Sequence, residues 1–246
     1  MSKLLTRRRL LLGGVAALGG LTVAGWKRGL SPARIPWIGL GDALTYSSHR
    51  LLIPADSMAR EFNFDQITPL PAIGTTNPES ENYQRLLKGN FVGWRLQIDG
   101  LVQRPSSVSL ADLKRFPSRT QVTQQSCEEG WTGIAGWTGV QLSRVLETVG
   151  VMASARYCAF HCVDDWWDCI DMGDALHPQT LLAYGMNGGE LPVAHGAPVR
   201  LRVERQLGHK SLKYVDRLTL VERLDEVEDG MGANGAGDGY AWYGGI

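Results

Sequence analysis

Four cysteines, at positions 127, 158, 162 and 169, are the residues of this chain best suited to chemistry, and their surroundings separate them. Cys127 lies in the polar, glycine-punctuated stretch Gln124-Gln125-Ser126-Cys127-Glu128-Glu129-Gly130-Trp131, directly after strand-like residues 120–123. A thiol in such a loop is open to a ligand. As a nucleophile it would need a cation or a helix N-terminus to lower its pKa, whereas Glu128 and Glu129 would raise it. A metal ion removes that difficulty by deprotonating the thiol outright. On spacing alone, a free structural cysteine and a functional one are equal readings. Cys158 and Cys162 share one face of a predicted strand over 157–163, but four residues at roughly 3.3 Å each set them about 13 Å apart. That is beyond disulfide or shared-metal reach, so both read as small buried hydrophobes. A hairpin through 164–167 would bring Cys169 toward Cys162 and leaves that pair open. No C-x-x-C occurs, so structural zinc and haem attachment lack support.

A second candidate lies downstream. Val199-Arg200-Leu201-Arg202-Val203-Glu204 alternates, placing Arg200 and Arg202 on one face and three aliphatics on the other. Gly208-His209-Lys210-Ser211-Leu212-Lys213 follows as a loop of backbone N–H groups, a hydroxyl and two ammonium groups, a set suited to an anionic phosphate. It is not a G-x-x-x-x-G-K-[ST] loop, and a solvated basic turn beside an edge strand is the plainer alternative. His195-Gly196-Ala197-Pro198 places a histidine in a turn just upstream.

The elements that must hold these groups are legible in part. The chain has 246 residues, 43% of them hydrophobic, enough for a sizeable core without disulfide staples. Lys plus Arg and Asp plus Glu both total 25, so no global field favours nucleic acid. Residues 94–100 alternate as a half-buried strand with Trp94, Leu96 and Ile98 inward, and strands are predicted over 199–203 and 214–221 as well. A capped short helix is expected over 109–114. Another is expected over 140–149, with Val140, Arg144, Val145 and Val149 on one stripe and Gly150 as its stop. Residues 37–76 read as an irregular wrap, and 229–246 as a Gly-rich tail packed on the body. Boundaries follow at 1–28, 37–224 and 225–246. In the first of these, Arg7-Arg8-Arg9 precedes an uncharged Gly-rich run over 10–26, at about 17 residues near the lower limit for spanning a bilayer. It reads as a twin-arginine export signal, with a plain or uncleaved membrane anchor as the alternative. The expected location is therefore periplasmic or otherwise extracytoplasmic, through the twin-arginine translocase.

Taken in order, the Cys127 loop, Trp137-Thr138-Gly139-Val140, His177-Pro178-Gln179-Thr180-Leu181, the His195 turn with Arg200, and the 208–213 loop resemble the sulfite-oxidase-fold molybdopterin oxidoreductases. Within that family the chain resembles the periplasmic methionine-sulfoxide-reductase catalytic subunits and their bacterial relatives. The resemblance implies an α+β fold of mixed sheets with flanking helices and a molybdenum–molybdopterin cofactor (Mo-MPT). It places Cys127 as the protein ligand to molybdenum, and Asn77, Cys162, His195, Arg200, Ser211 and Lys213 on cofactor-binding positions. Arg202 and Lys210 are neighbours of open role. It also implies a two-electron oxygen-atom transfer by a monomeric catalytic subunit. Electrons would be exchanged with a separate partner, a membrane haem subunit or a cytochrome, since no haem or iron–sulfur motif is present.

Departures from the family pattern bear on substrate. Sulfite-oxidising relatives carry arginines soon after the cysteine, whereas Glu128 and Glu129 stand here, and Trp166-Trp167 replaces a tyrosine. An acidic, aromatic pocket favours a neutral sulfoxide over an anion. The alternatives are a sulfite-type dehydrogenase, a hydrolase with Cys127 as nucleophile and His195 or His209 as base, and a cofactor-binding protein without turnover.

Overall fold

The computed structural model describes residues 36–227, 230, 232–235 and 240–246; the export segment read over 1–28 lies outside them. The described residues form two compact units. One runs to Pro54 and resumes at Arg223–Tyr243, and the other spans Ala55–Glu222 with Gly244–Ile246.

The first unit corrects the expectation of an irregular start, because helix α1 (Pro36–Leu52) occupies most of it. Pro36 opens the helix at its first position, where a missing N–H costs nothing, and the glycines that suggested a loop are carried inside it. Tyr46 of α1 meets the rings of Trp242 and Tyr243 at centroid distances of 5.6 and 5.0 Å. This packing sets Trp242 and Tyr243 against α1. No helix among the described residues is long and apolar enough to cross a membrane.

The second unit holds two sheets. In the first, β1 (Arg95–Gly100) lies between β2 (Ser106–Ser109) and β10 (Val215–Val221), followed by β5 (Tyr157–Cys162) and β6 (Trp167–Asp171). Only β1 and β10 run parallel within this sheet. The second sheet is antiparallel: β3 (Ser118–Ser126), β4 (Thr132–Gln141), β7 (Leu181–Met186) and β8 (Gly189–Glu190), with β9 (Arg200–Arg202) also on β7. Helices α2 (Glu81–Lys88), α3 (Leu110–Leu113), α4 (Leu142–Val149) and α5 (Met172–Ala175) are short, and the α+β class expected from the sequence holds.

Local chemistry explains the elements that frame the site. Trp94, Leu96 and Ile98 are buried as their alternation requires. Ser109 caps α3, its Oγ accepting from the Asp112 N–H at 3.0 Å. The α4 stripe differs from expectation, because Val140 belongs to β4 and Arg144 is exposed beside Glu147. Leu142, Val145, Leu146 and Val149 form the buried face, and Gly150 ends the helix at φ 69°. Register Ser126↔Thr132 closes the β3–β4 hairpin over 127–131, which puts Cys127 at the first position of its turn. One apolar cluster draws on both sheets and α4. Leu146→Ala should therefore cost about 2–5 kcal/mol in chemical denaturation, and Arg144→Ala under about 0.5 kcal/mol; equal effects would refute this choice of buried face.

Candidate functional site

The hairpin turn holds Cys127 by backbone bonds: its N–H donates to the Trp131 carbonyl at 2.9 Å, and its carbonyl accepts from the Gly130 N–H at 3.1 Å. The thiol is partly exposed, and its Sγ lies 3.6 Å from Glu128 Oε2. Burial, with the charges of Glu128 and Glu129 adding to it, pushes the thiol pKa up. Glu128 goes the other way: His209, with Nδ1 at 3.6 Å, holds its carboxyl at about 2, so it is ionised at neutral pH.

The basic segment packs against this turn because Gly208 has no side chain. A Cβ there would come within 3.2 Å of Gln125 Nε2, 3.3 Å of the Ser126 carbonyl and 3.6 Å of Cys127 Cα. Gly196 does the same service upstream, at φ 108°, where a Cβ would come within 2.9 Å of the Lys213 Cβ and 3.0 Å of its Cα. Between them, a cavity of about 380 Å³ is lined by Cys127, Glu128, His195, Arg200, Ser211 and Lys213 among others. Five of the seven residues expected at the cofactor site thus converge. Asn77 lies on a neighbouring open groove with Thr75, Thr76 and Asp164, and its Oδ1 accepts from Gln84 Nε2 at 2.9 Å. Cys162 is buried at the end of β5, off the cavity wall, and its pKa is raised by that burial. Cys158 and Cys169 are also buried, and none of the four cysteines is in a disulfide.

The cations are buried without a full set of counter-charges. Arg200 donates to the His195 carbonyl at 3.0 Å and the Ser211 carbonyl at 2.7 Å, while its Nε finds no partner among the described residues. Burial, and then Arg202 beside it, lower its pKa. Burial likewise, then Arg200 and Lys213, lower the pKa of His195. Arg202 is satisfied: Nη2 meets Glu204 Oε2 at 2.7 Å and Nη1 donates to Gln125 Oε1. Both guanidiniums lie over the Trp137 ring, at 4.8 and 4.5 Å. The expected basic face of β9 is therefore interior rather than solvated. Lys210, of open role in the sequence, is buried against Asp168 Oδ1 at 2.5 Å and the Cys169 carbonyl at 3.0 Å, which ties the basic loop to β6. Lys213 donates to the carbonyls of Ile73, Thr75 and Ala194.

Several lining residues were missed in the sequence. Leu70, Pro71, Ala72 and Ile73 form an apolar strap on the cavity wall, opposite in character to the cations, and no local pattern marks them. Trp131 and Trp166 line it too, while Trp167 does not. His177 and Gln179 hold structure instead: the His177 Nε2 is 3.1 Å from the Ser57 carbonyl, and Gln179 pairs with both backbone groups of Ala59.

Lys213 titrates at about 8 in the folded chain, chiefly through burial, against its ordinary 10.5. The unfolded chain then binds more protons between those values, so this group makes stability rise with pH across that window. Without a bound anion, wild type should gain stability from pH 8 to 10 relative to Lys213→Met in paired melting curves. Parallel curves would show that the buried ammonium carries no penalty.

The family described as Oxidoreductase molybdopterin binding domain matches residues 87–227. The chain is 38% identical over 152 residues to the putative protein-methionine-sulfoxide reductase subunit YedZ1 of Azospira oryzae, covering 62% of this chain and 56% of that protein. It is 28% identical over 236 residues to the protein-methionine-sulfoxide reductase catalytic subunit MsrP of Ralstonia nicotianae, covering 88% and 69%. The chain thus spans little more than half of the first relative's length. Among solved structures, the sulfane dehydrogenase SoxCD of Paracoccus pantotrophus is similar with a TM-score of 0.52 and 26% identity, over 54% of this chain and 39% of that one. The family match covers more than half of the sequence and contains the whole Cys127 and basic-loop constellation, so the chain belongs to the molybdopterin-binding oxidoreductases of the sulfite-oxidase fold.

Proposed function

We propose that this chain is the catalytic subunit of a molybdenum-dependent reductase acting on a sulfoxide, methionine sulfoxide foremost: R₂S=O + 2e⁻ + 2H⁺ → R₂S + H₂O. The observation that carries the substrate is the ionised Glu128 beside the Cys127 thiol, in a cavity whose wall also holds Trp131, Trp166 and the strap over 70–73. An approaching sulfite dianion meets a carboxylate there, whereas a neutral thioether oxide meets apolar surface. The names of the YedZ1 and MsrP relatives support the same substrate.

The residues present fit the cofactor. Arg200 has an unpaired buried Nε, and the buried Arg200 and half-buried Lys213 have carbonyls rather than carboxylates as hydrogen-bond partners, an arrangement that a phosphate would complete. Among the described residues no group of three or more His, Cys, Asp and Glu could hold a metal ion, and Cys127 would be the one side chain to hold the metal of a pterin-borne group. When bound, the group supplies two-electron oxygen-atom transfer. Cys127, whose thiol pKa is raised by burial, would hold the metal as a thiolate, so its proton would leave when the group binds. Ser211, Lys213 and Arg200 would hold the phosphate, and His195 the adjoining polar edge. The apolar strap and the two tryptophans exclude water and orient the substrate's carbon chains.

Electrons would come from a separate protein, a membrane haem subunit or a cytochrome, to a monomeric catalytic subunit. The Arg7-Arg8-Arg9 motif supports export by the twin-arginine route and work in the periplasm, with an uncleaved signal as a tether.

Protein from cells that make molybdopterin should carry about one molybdenum and one pterin per chain, and reduce sulfoxides from a viologen dye without oxidising sulfite. The opposite preference would place it with the dehydrogenases. Cys127→Ala should lose the metal and at least about 10²-fold in turnover, with its melting point near that of wild type; an active, metal-loaded variant would rule out ligation by Cys127. Glu128→Gln should tighten inhibition by sulfite on the order of tenfold, measured at constant ionic strength.

A further inference from the structure

Gln125 lines the cavity from the end of β3, two residues before Cys127, with about 7 Å of extended chain between them. Its amide cannot turn over. Arg202 Nη1 donates to Gln125 Oε1, and a guanidinium has no acceptor to offer the NH₂ end in exchange. Nε2 is therefore directed away from Arg202, and it has no hydrogen-bond partner among the described residues. It lies against the basic loop, where a Cβ on Gly208 would come within 3.2 Å of it. The result is a neutral donor held at its oxygen end and unengaged at its nitrogen end.

The surface beside this donor is apolar. Across the hairpin Gln125 pairs with Gly133, and cross-strand partners share a face. Gly133 supplies no side chain there; a Cβ would stand 2.7 Å from Leu70 Cδ1, so Leu70 of the strap takes the place next to the amide. Donor and hydrocarbon thus adjoin on the approach to Cys127. A sulfoxide has the matching pattern, an oxygen of high partial negative charge on a sulfur that carries two hydrocarbon arms. Other donors on the cavity wall are charged or already engaged: Trp131 Nε1 donates to Glu129 at 3.3 Å, Lys213 to three carbonyls, and Arg200 to those of His195 and Ser211.

We infer that Gln125 Nε2 donates to the oxygen of the sulfoxide while Leu70 receives one of the carbon arms. The inference rests on the sulfoxide-reductase reading and adds to it the residue that recognises the oxygen. As two electrons arrive from the redox partner, the S–O bond breaks, sulfur keeps a lone pair, and the oxygen gathers negative charge before two protons carry it off as water. A donor fixed in advance at that oxygen binds more strongly in the transition state than in the ground state, so it raises kcat as well as affinity. The thioether product has no oxygen and loses this hold.

For the test, full-length wild type, Gln125→Glu, Gln125→Met and the control Gln124→Glu are purified from molybdopterin-producing cells and matched for molybdenum and pterin. Gln125→Glu keeps an oxygen for Arg202 and loses the donor, and Gln125→Met loses both. Gln124→Glu adds the same charge on an exposed neighbour that is off the cavity wall. Reduction of diethyl sulfoxide from a viologen dye gives kcat and KM. Tryptophan fluorescence of the oxidised protein, with no reductant present, gives the dissociation constants of diethyl sulfoxide and diethyl sulfide without turnover.

Gln124→Glu should match wild type. Both Gln125 variants should lose about tenfold or more in kcat/KM, with kcat falling more than KM rises, and the binding preference for sulfoxide over sulfide should fall by about the same factor. Wild-type values in both variants would overturn the assignment and leave the reductase reading standing. So would recovery in Gln125→Glu alone, which would mean that the residue serves Arg202, and so would loss in Gln125→Glu alone, which would be an effect of charge. A cofactor-loaded wild type that reduces no sulfoxide would instead sink the reductase reading, and this inference with it. If Gln125→Met does not fold, Gln125→Glu against Gln124→Glu decides, equal losses in the two counting against the donor.

Discussion

Two guanidiniums packed on one indole are the constraint from which the site follows. Arg200 and Arg202 are 4% and 1% exposed, and burying each cation costs several kcal/mol unless the surroundings answer it. The Trp137 ring answers part for both, a contact worth up to about 2 kcal/mol when desolvated. Glu204 and Gln125 complete Arg202, and the carbonyls of His195 and Ser211 steady Arg200. Trp137 is on β4, the strand that returns from the Cys127 turn, and Gln125 is two residues before that cysteine. The same contacts that make two buried cations tolerable therefore fix the thiol wall against the cation wall.

Other motif residues divide between facing the cavity and holding those that do. Lys210 anchors the basic loop to Asp168 on β6, so a residue between two cofactor candidates turns inward and serves position. His177 and Gln179 bind residues 57 and 59, ahead of the strap, and Gln121 links Gln179 to Glu204. A polar chain thus runs from the Gln179 turn to the arginine pair. Its members look alike in sequence to ligand-binding residues because both kinds need a fixed polar partner.

What the sequence disclosed follows the range of the forces involved. Strand alternation and the Ser109 cap are local, and Trp94, Leu96, Ile98 and the short α3 came out as expected. Cys127, His195, Arg200, Ser211 and Lys213, singled out by motifs that carry both turn geometry and ligand chemistry, line one cavity. Helix α1 was not, since two glycines and a proline lower its local propensity and aromatic contacts with residues 242 and 243 override it. Burial at β9 was also hidden: alternation places Arg200 and Arg202 on one face, but only the fold brings Trp137 under them.

Lys213 gives the strap a further property. Its ammonium group donates to the carbonyls of Ile73, Thr75 and Ala194, and a Lys side chain has only three donors. A phosphate oxygen that takes one of those protons takes it from a carbonyl, and two of the three carbonyls belong to the strap's last residue, Ile73, and to Thr75 just after it. Occupancy of the cavity and tension in the strap are then two readings of one equilibrium: whatever loosens residues 73–75 strengthens the lysine's hold on an anion, and a firmly held anion frees the strap. The apolar wall of the cavity is thereby coupled to the lysine proposed to hold the cofactor's phosphate.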